Sequence, residues 1–191
     1  MCIQHSRCPW AGSDPLYVAY HDHEWGQPVH DDKKLFEMLL LETMQAGLSW
    51  ITILRKREMY RSAFDGFDPQ RIAAYGTQKV EELMGNAGIV RNRKKIFAAI
   101  TNAAAFLAVQ EKHGSFDRWL WRYVGDTPVI GHWQTLEEVP TTTEISDKLS
   151  RDMKKLGFRF VGSTTIYAYM QAVGMVNDHI ASCFLCGRSQ V

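Results

Sequence analysis

The stretch Leu39-Leu40-Leu41-Glu42-Thr43-Met44-Gln45-Ala46-Gly47-Leu48-Ser49-Trp50 reads as the end of an apolar helix, a glycine break and the start of another helix. With the run from Lys33 helical, Leu35, Met38, Leu39 and Leu41 line one broad face. Glu42 shares it, at spacings of seven, four and three from Leu35, Met38 and Leu39. A buried carboxylate without a partner is costly, so its presence needs an explanation. A buried ion pair with Arg or Lys would supply one, as would a helix end that turns Glu42 outward. A functional pocket would supply another.

Working outward, His30-Asp31-Asp32 offers an N-cap for a helix over about 33–44. Ser49 caps a second over 50–64, with Ile53, Leu54 and Phe64 on its buried side. Asp68-Pro69 and Thr77 start two short helices, and Gly85-Asn86-Ala87-Gly88 is a turn. The next helix, over 91–111, carries Ile96, Ile100, Ala104 and Leu107 at helical spacing. Thr141 with Glu144 forms a capping box for a helix bearing Ile145, Leu149, Met153 and Leu156 and ending at Gly157. A short hairpin over 158–162 leads to a last long helix over 163–172, after which Asn177-Asp178 caps a turn holding His179 and Cys183. Residues 1–30 read as a mostly irregular arm with one short helix after Pro15. In the less regular 114–135 stretch, Trp119, Trp121 and Trp133 read as core, and no alternating pattern lasts long enough for a sheet. The expected fold class is all-α.

The chain has 191 residues, 46% hydrophobic and 23% charged, which fits one medium domain or two small lobes sharing a core. Its net charge of +1 gives no bulk argument for a nucleic-acid partner, so local clusters must carry one. No run approaches the roughly 18 apolar residues of a membrane helix, and Met1 to Cys8 lacks an apolar signal core. The expectation is a cytosolic protein without a membrane partner, whose four cysteines favour metal ligation over disulfides.

Three constellations carry chemistry. His179 and Cys183, at i and i+4, share a helix face and make half of a zinc site. Cys8 and His21 can supply the other half, with His23 and Cys186 as rivals, while Cys2 and Cys186 also read as plain thiols. A Cys2His2 set is closed, so its metal would be structural rather than catalytic, and it would tie the two ends of the chain together. Secondly, Trp10, Tyr17, Tyr20, Trp25 and Trp50 crowd the segments around Glu42. They are either core aromatics or, with one carboxylate, a box for a flat cationic ligand such as a positively charged nucleobase. Thirdly, Arg55-Lys56-Arg57, Arg91-Asn92-Arg93-Lys94-Lys95 and Lys154-Lys155 with Arg159 are basic clusters that usually mean solvated helix faces. At Gly162-Ser163-Thr164-Thr165, backbone N–H groups opening a helix can hold a phosphate.

The chain resembles the 3-methyladenine DNA glycosylase I family, often called TAG, along nearly its whole length. The resemblance runs from Arg7-Cys8-Pro9-Trp10, Asp14-Pro15-Leu16-Tyr17 and Tyr20-His21-Asp22-His23-Glu24-Trp25-Gly26 through Gln45-Ala46-Gly47-Leu48-Ser49-Trp50-Ile51-Thr52. It continues in Ala87-Gly88-Ile89-Val90-Arg91, Gly157-Phe158-Arg159-Phe160-Val161-Gly162 and Met170 to His179. It implies a helix–hairpin–helix glycosylase fold in one domain over 1–191, two lobes sharing a cleft. It also implies one structural zinc per chain on Cys8, His21, His179 and Cys183. By the same resemblance Glu42 is the pocket carboxylate, Tyr20 and Trp50 flank the extruded base, and Trp10, Tyr17 and Trp25 complete the box.

The implied reaction is hydrolysis of the N-glycosidic bond of 3-methyladenine in double-stranded DNA, releasing free 3-methyladenine and leaving an abasic site. Gln45, Gly47 and Leu48 would enter the emptied duplex, with Leu48 as wedge, while Gly162 and Ser163 would meet the DNA backbone. A cytoplasmic, nucleoid-associated bacterial monomer is expected. Phe160 departs from the superfamily's Leu-Pro-Gly-Val-Gly hairpin, standing where its first glycine would be, and Asp178 reads as a cap or a group supporting the ligand His179. Two rival readings are a non-catalytic zinc module that binds alkylated or distorted DNA and a zinc hydrolase using Glu42.

Overall fold

The structure, a computed structural model, describes residues 6–187. After a 3₁₀ turn at Pro9–Ala11 the chain forms α1 (Pro15–His23), α2 (Asp32–Gln45), α3 (Trp50–Ala63), α4 (Pro69–Ala73) and α5 (Thr77–Gly85). Then come α6 (Arg93–His113), α7 (Phe116–Trp121), α8 (Glu144–Lys155) and α9 (Ser163–Ala172). The fold is mostly helical, as expected. The irregular region adds β1 (Val129–Ile130), which pairs in parallel with β2 (Val176–Asn177). Two residues per strand are too few to show an alternating pattern. No helix among the described residues is long and apolar enough to cross a membrane.

Helix α2 is the axis. It packs against α3, α6, α7 and α9, and every residue from Leu35 to Met44 is buried. The expected single apolar face is therefore corrected: neighbours enclose this helix on all sides, as its run of three leucines permits. Its N-terminus is capped as expected, with Asp31 accepting from the Lys34 N–H at 2.8 Å. Asp14, Asp68 and Asn92 cap α1, α4 and α6 in the same way.

Two other caps differ from expectation. Ser49 stands at the N-cap of α3, but its hydroxyl meets Thr52 Oγ1 at 2.7 Å instead of a backbone N–H. The capping box of α8 is Thr143 with Ser146, not Thr141 with Glu144. Helical geometry begins only at Glu144, so Thr141 lies too early to cap it, and the Ser146 hydroxyl reaches back to the Thr143 N–H at 2.8 Å.

Most residues of the basic runs are exposed, as read, but a few are engaged inside the fold. Arg57 forks onto Glu24 with two 2.8 Å bonds and reaches Glu37 at 2.7 Å, and Arg61 joins Glu37 at 2.9 Å. Glu37, only 5% exposed on α2, is thus ion-paired to α3. Arg55 pairs with Asp14, and Lys56 donates to the carbonyls of Ala87 and Gly88. Lys95, read from sequence as part of a solvated face, is 6% exposed and donates to the carbonyls of Met44 and Ala46 at 2.7 and 2.6 Å. It caps the C-terminus of α2, where a cation is favoured.

The segment after α1 is laid against the end of α9. The Gly26 N–H donates to the Gln171 carbonyl at 2.9 Å and the Val29 N–H to Val173 at 3.1 Å. Gly174, at φ 70°, closes the helix here, and a Cβ on it would overlap the backbone of Gln27 and of Pro28. Backbone cannot swing aside as a flexible side-chain end can. Gly174→Ala is therefore expected to lower stability by about 2–4 kcal/mol, measured by urea unfolding. An unchanged midpoint would show that the two segments are not held in this contact.

Candidate active site and metal centre

A cleft of about 370 Å³ opens at the end of α2. Trp10, Tyr17, Tyr20, Trp25, Glu42, Gln45 and Trp50 all line it, so the structure brings together the whole expected aromatic set and its carboxylate. The rings make one continuous wall. Trp10 lies 5.1 Å from Tyr17 and 4.9 Å from Trp25, edge to face with the latter, and Tyr20 lies 5.3 Å from Trp50.

Glu42 is 3% exposed and makes no ion pair with the arginines or lysines described, and it does not turn outward, so neither bland explanation holds. Its Oε2 has no hydrogen-bond partner, and the buried indole Nε1 of Trp50 also lacks one. An unpaired acceptor and an unpaired donor thus stand in one aromatic cleft, where most buried polar groups would be satisfied. Burial pushes the Glu42 carboxyl up to about 8. In the empty cleft it is therefore mostly protonated at neutral pH, and a cation arriving beside it would favour the carboxylate.

The opposite wall comes from α9 and from the loop before α8. Thr164, Tyr167, Ala168 and Gln171 line it from α9 at helical spacing. That spacing is readable in the sequence, but no cluster of Trp, Cys or His marks it as part of a site. Leu136, Val139, Pro140 and Thr141 complete the cleft from an irregular loop with no periodic signal. Asp178 also lines the cleft, and it is neither a helix cap nor a partner of a ligand ring. Its carboxylate accepts from Trp133 Nε1 at 2.7 Å, Tyr167 Oη at 2.6 Å and Gln171 Nε2 at 2.8 Å. It ties the β2 end to α9.

The turn between α2 and α3 is exposed from Ala46 to Ser49, with Gly47 at φ 81° and Leu48 40% exposed. Gln45 sits at the junction between cleft and turn. The Gly162 and Ser163 positions open α9, with no side-chain cap on Gly162 and the Ser163 hydroxyl 2.8 Å from that of Ser146. Phe160 adopts φ 55°, a left-handed conformation that a glycine would take freely.

Behind the aromatic wall, Cys8, His21, His179 and Cys183 are buried, with their ligand atoms all within 4.8 Å of one another. They form a group able to hold a metal ion. His23 is exposed and Cys186 lies outside the group, while Cys2 falls outside the described residues. The expected helix under His179 and Cys183 is absent. Residues 178–180 are irregular and turns follow, with the Asn177 side chain accepting from the His179 N–H at 3.2 Å. Four residues in turns still bring both side chains to one point.

Both histidine rings are oriented from outside the group. His21 Nδ1 lies 2.8 Å from Asp22, itself gripped by Arg7 at 2.7 Å, which leaves Nε2 facing Cys183 Sγ at 3.5 Å. His179 Nε2 meets the Trp25 carbonyl at 3.3 Å, leaving Nδ1 at 3.5 Å from Cys8 Sγ and 3.4 Å from Cys183 Sγ. Such outer partners fix tautomer and ring angle in metal sites. Arg7 holds the Asp22 carboxyl down to about 2, and its contact with His21 acts in the same direction. The hydrogen bond from Cys8 and those from His179 and His21 push the Cys183 thiol down, towards the thiolate that a metal requires.

The ligand group and the cleft share a wall. Trp25 packs edge-on against His179 at 4.7 Å, and Trp10 lies 5.2 Å from His21. Gly26 passes so close to the His179 ring that a Cβ there would lie 3.2 Å from Nε2.

Residues 10–186 match the family model described as methyladenine glycosylase. The chain is 52% identical to DNA-3-methyladenine glycosylase 1 of Escherichia coli (strain K12) over 177 residues, 93% of this chain and 95% of that protein. It is 47% identical to DNA-3-methyladenine glycosylase of Haemophilus influenzae over 178 residues, 93% of this chain and 96% of that protein. A crystal structure of 3-methyladenine DNA glycosylase I superposes with a TM-score of 0.93 at 52% identity, covering 95% of this chain and all of the other. A structure of the Staphylococcus aureus enzyme, described as the basis of its 3-methyladenine recognition, superposes at 0.92 with 37% identity, over 95% of this chain and 97% of that one. Continuous over nearly the whole length, these matches establish that the chain belongs to the methyladenine glycosylase family.

Proposed function

We infer that this chain is a DNA-3-methyladenine glycosylase, an enzyme of base-excision repair that hydrolyses the N-glycosidic bond of 3-methyladenine in alkylated duplex DNA. The observation that carries its site is the pair of unsatisfied polar atoms, Glu42 Oε2 and Trp50 Nε1, inside the aromatic cleft. A flipped 3-methyladenine is flat and carries a positive charge while attached to the sugar, so it suits both the ring faces and the acid. Its exocyclic amino group can donate to Glu42, and a ring nitrogen can accept from Trp50. Tyr20 and Trp50 flank the base, with Trp10, Tyr17 and Trp25 closing the box.

Methylation makes the base a good leaving group, so strong acid assistance is not required. The bond to the sugar breaks with both electrons going to the base, which leaves as neutral 3-methyladenine. Water then adds to the sugar cation and gives up a proton. Glu42 in its ionised form stabilises the cationic base and faces the charge that develops on the sugar. On this reading the whole chain works as one glycosylase domain. Gln45, Gly47 and Leu48 enter the gap left in the duplex, and the α8–α9 connection, the counterpart of the superfamily's hairpin, meets the backbone at Gly162 and Ser163.

Cys8, His21, His179 and Cys183 would hold a structural zinc ion. A tetrahedral zinc with bonds of about 2.0–2.3 Å sets its ligand atoms about 3.3–3.8 Å apart. Three sulfur–nitrogen separations of 3.4–3.5 Å fit that spacing, and the set of two thiols and two imidazoles suits zinc. When bound, the ion supplies a cross-link between the two ends of the chain and leaves no open position for catalysis.

Base release from methylated duplex DNA tests the activity directly. Glu42→Gln is expected to lower that release by a factor on the order of 10², and full activity in the variant would remove Glu42 from the mechanism. The same variant has a stability signature. The folded Glu42 carboxyl sits at about 8 against its usual 4.5. A raised acid contributes stability that is complete below the unfolded value and is lost as pH rises through the folded one. Melting temperature should therefore fall more steeply from about pH 5 to pH 9 in the parent than in Glu42→Gln, and parallel curves would refute the buried, unpartnered acid.

Elemental analysis should find one zinc per chain, and chelation or Cys183→Ser should lower the melting temperature by roughly 10 °C. A chelated sample that melts unchanged would rule out the structural ion.

A further inference from the structure

Helix α6 carries two buried polar side chains seven residues apart, and each is bonded twice to the backbone of a different loop. Lys95 donates to the carbonyls of Met44 and Ala46, at the start of the α2–α3 turn. Asn102, only 2% exposed, donates to the Arg159 carbonyl at 3.1 Å and accepts from the Arg159 N–H at 2.7 Å. A spacing of seven returns to the same helix face about 10 Å further along the axis. One face of one helix therefore holds both the turn bearing Leu48 and the α8–α9 connection.

The local chemistry favours stiff attachment. Bidentate backbone bonds fix orientation as well as distance, and bonds involving a buried ammonium are among the stronger ones. The connection is gripped again from its other side, where Ser150 of α8 donates to the Val161 carbonyl at 2.6 Å. Between these two grips stands Phe160 at φ 55°. A bulky residue keeps such a conformation only where its surroundings over-determine it. Neither anchor lines the cleft, so neither is expected to touch the base.

We propose that α6 is a strut that sets the separation between the Leu48 turn and the Arg159–Gly162 connection, with Lys95 and Asn102 as its positioning residues, so that both loops engage one duplex at once. This rests on the reading that the two loops meet DNA. A strut makes a distinct demand: once either anchor is released, the other no longer fixes the separation.

The test uses Lys95→Met, Asn102→Leu and the double variant, with Leu48→Ala and Phe160→Ala marking the loops themselves. Free 3-methyladenine binding, followed by tryptophan fluorescence, should stay within about twofold of the parent in the anchor variants, because neither side chain lines the cleft. Affinity for a duplex containing an abasic analogue, and release of 3-methyladenine from duplex DNA, should each fall about tenfold in either single anchor variant. The double variant should fall little further than the worse single one. Lys95→Arg should restore most of the loss.

Multiplicative losses in the double variant would make the anchors two independent braces and overturn the strut. Anchor variants that keep full duplex affinity while Leu48→Ala and Phe160→Ala lose it would leave the loop reading standing and remove the anchors. Loop variants that bind and act as the parent does would overturn both. If Lys95→Met or Asn102→Leu fails to fold, Lys95→Gln and Asn102→Asp each keep part of the bonding, and the same comparisons apply to them.

Discussion

One oxygen of a carboxyl group without a partner, at the end of a helix enclosed on every side, is the constraint around which this molecule is arranged. Burial of an unpaired acid works against folding, and the surrounding helices must hold α2 in place despite it. They do so with apolar contacts along its whole length, with the Glu37–Arg57–Arg61 ion pairs on one flank and with Lys95 on its last carbonyls. The other buried charges at α2, Glu37 and Lys95, are satisfied by protein partners. Glu42 alone among the acids of this helix keeps a buried oxygen without a partner, and that oxygen and the unpartnered indole N–H of Trp50 give the cleft an acceptor and a donor.

Tyr17, Tyr20 and Trp50 are set on α1 and α3, but the other two rings of the aromatic wall have little secondary structure of their own to hold them. Trp10 belongs to a short 3₁₀ turn and Trp25 to an irregular segment after α1. Their positions come from what lies behind them. Trp10 rests on His21 and Trp25 on His179, and those two rings belong to the Cys8, His21, His179 and Cys183 group. Anything that gathers those four side chains therefore also sets the shape of the cleft. A structural ion at that point would act on substrate recognition through two tryptophans, at a distance from the reacting bond. The Arg7–Asp22–His21 chain extends the same logic outward to the surface.

Much of this was legible in the sequence. Helix starts followed from Asp31 and Asp68, because a side chain that caps a helix acts over three residues and needs no tertiary context. The ligand group and the aromatic set were legible because Cys, His, Trp and Tyr are rare enough for their clustering to stand out. Other features depend on which neighbour a side chain meets. Lys95 sits in a run of five polar residues that looks solvated, and only the docking of α6 beneath α2 turns it inward. Arg57 likewise reads as one more exposed cation until α1 and α2 bring Glu24 and Glu37 to it. The capping box moved by two residues because Thr143 and Thr141 are the same residue type in one threonine run, and only the backbone shows where helical geometry begins. The expected helix at His179 was an inference from spacing alone, and turns serve the same i, i+4 approach.

On the proposed reading of Glu42 and the aromatic rings, selectivity follows from the burial of the acid. With its carboxyl raised by burial, Glu42 is mostly neutral at physiological pH when nothing is bound. A neutral adenine entering the cleft gives no electrostatic reason to ionise the acid, and its approach leaves the ring faces with an uncharged partner. A base methylated at N3 carries its charge into a site of low polarity, where Coulomb attraction to a carboxylate is strong and the quadrupoles of five aromatic rings act in the same direction. On this reading discrimination resides in the charge difference between the methylated base and ordinary adenine. Bond cleavage then removes that charge from the base. The neutral product leaves Glu42 once more as a buried acid without a cation beside it, and its carboxyl returns to the raised value that favours the proton. The feature that makes the cleft receptive to the damaged base is the same one that weakens its hold on the product.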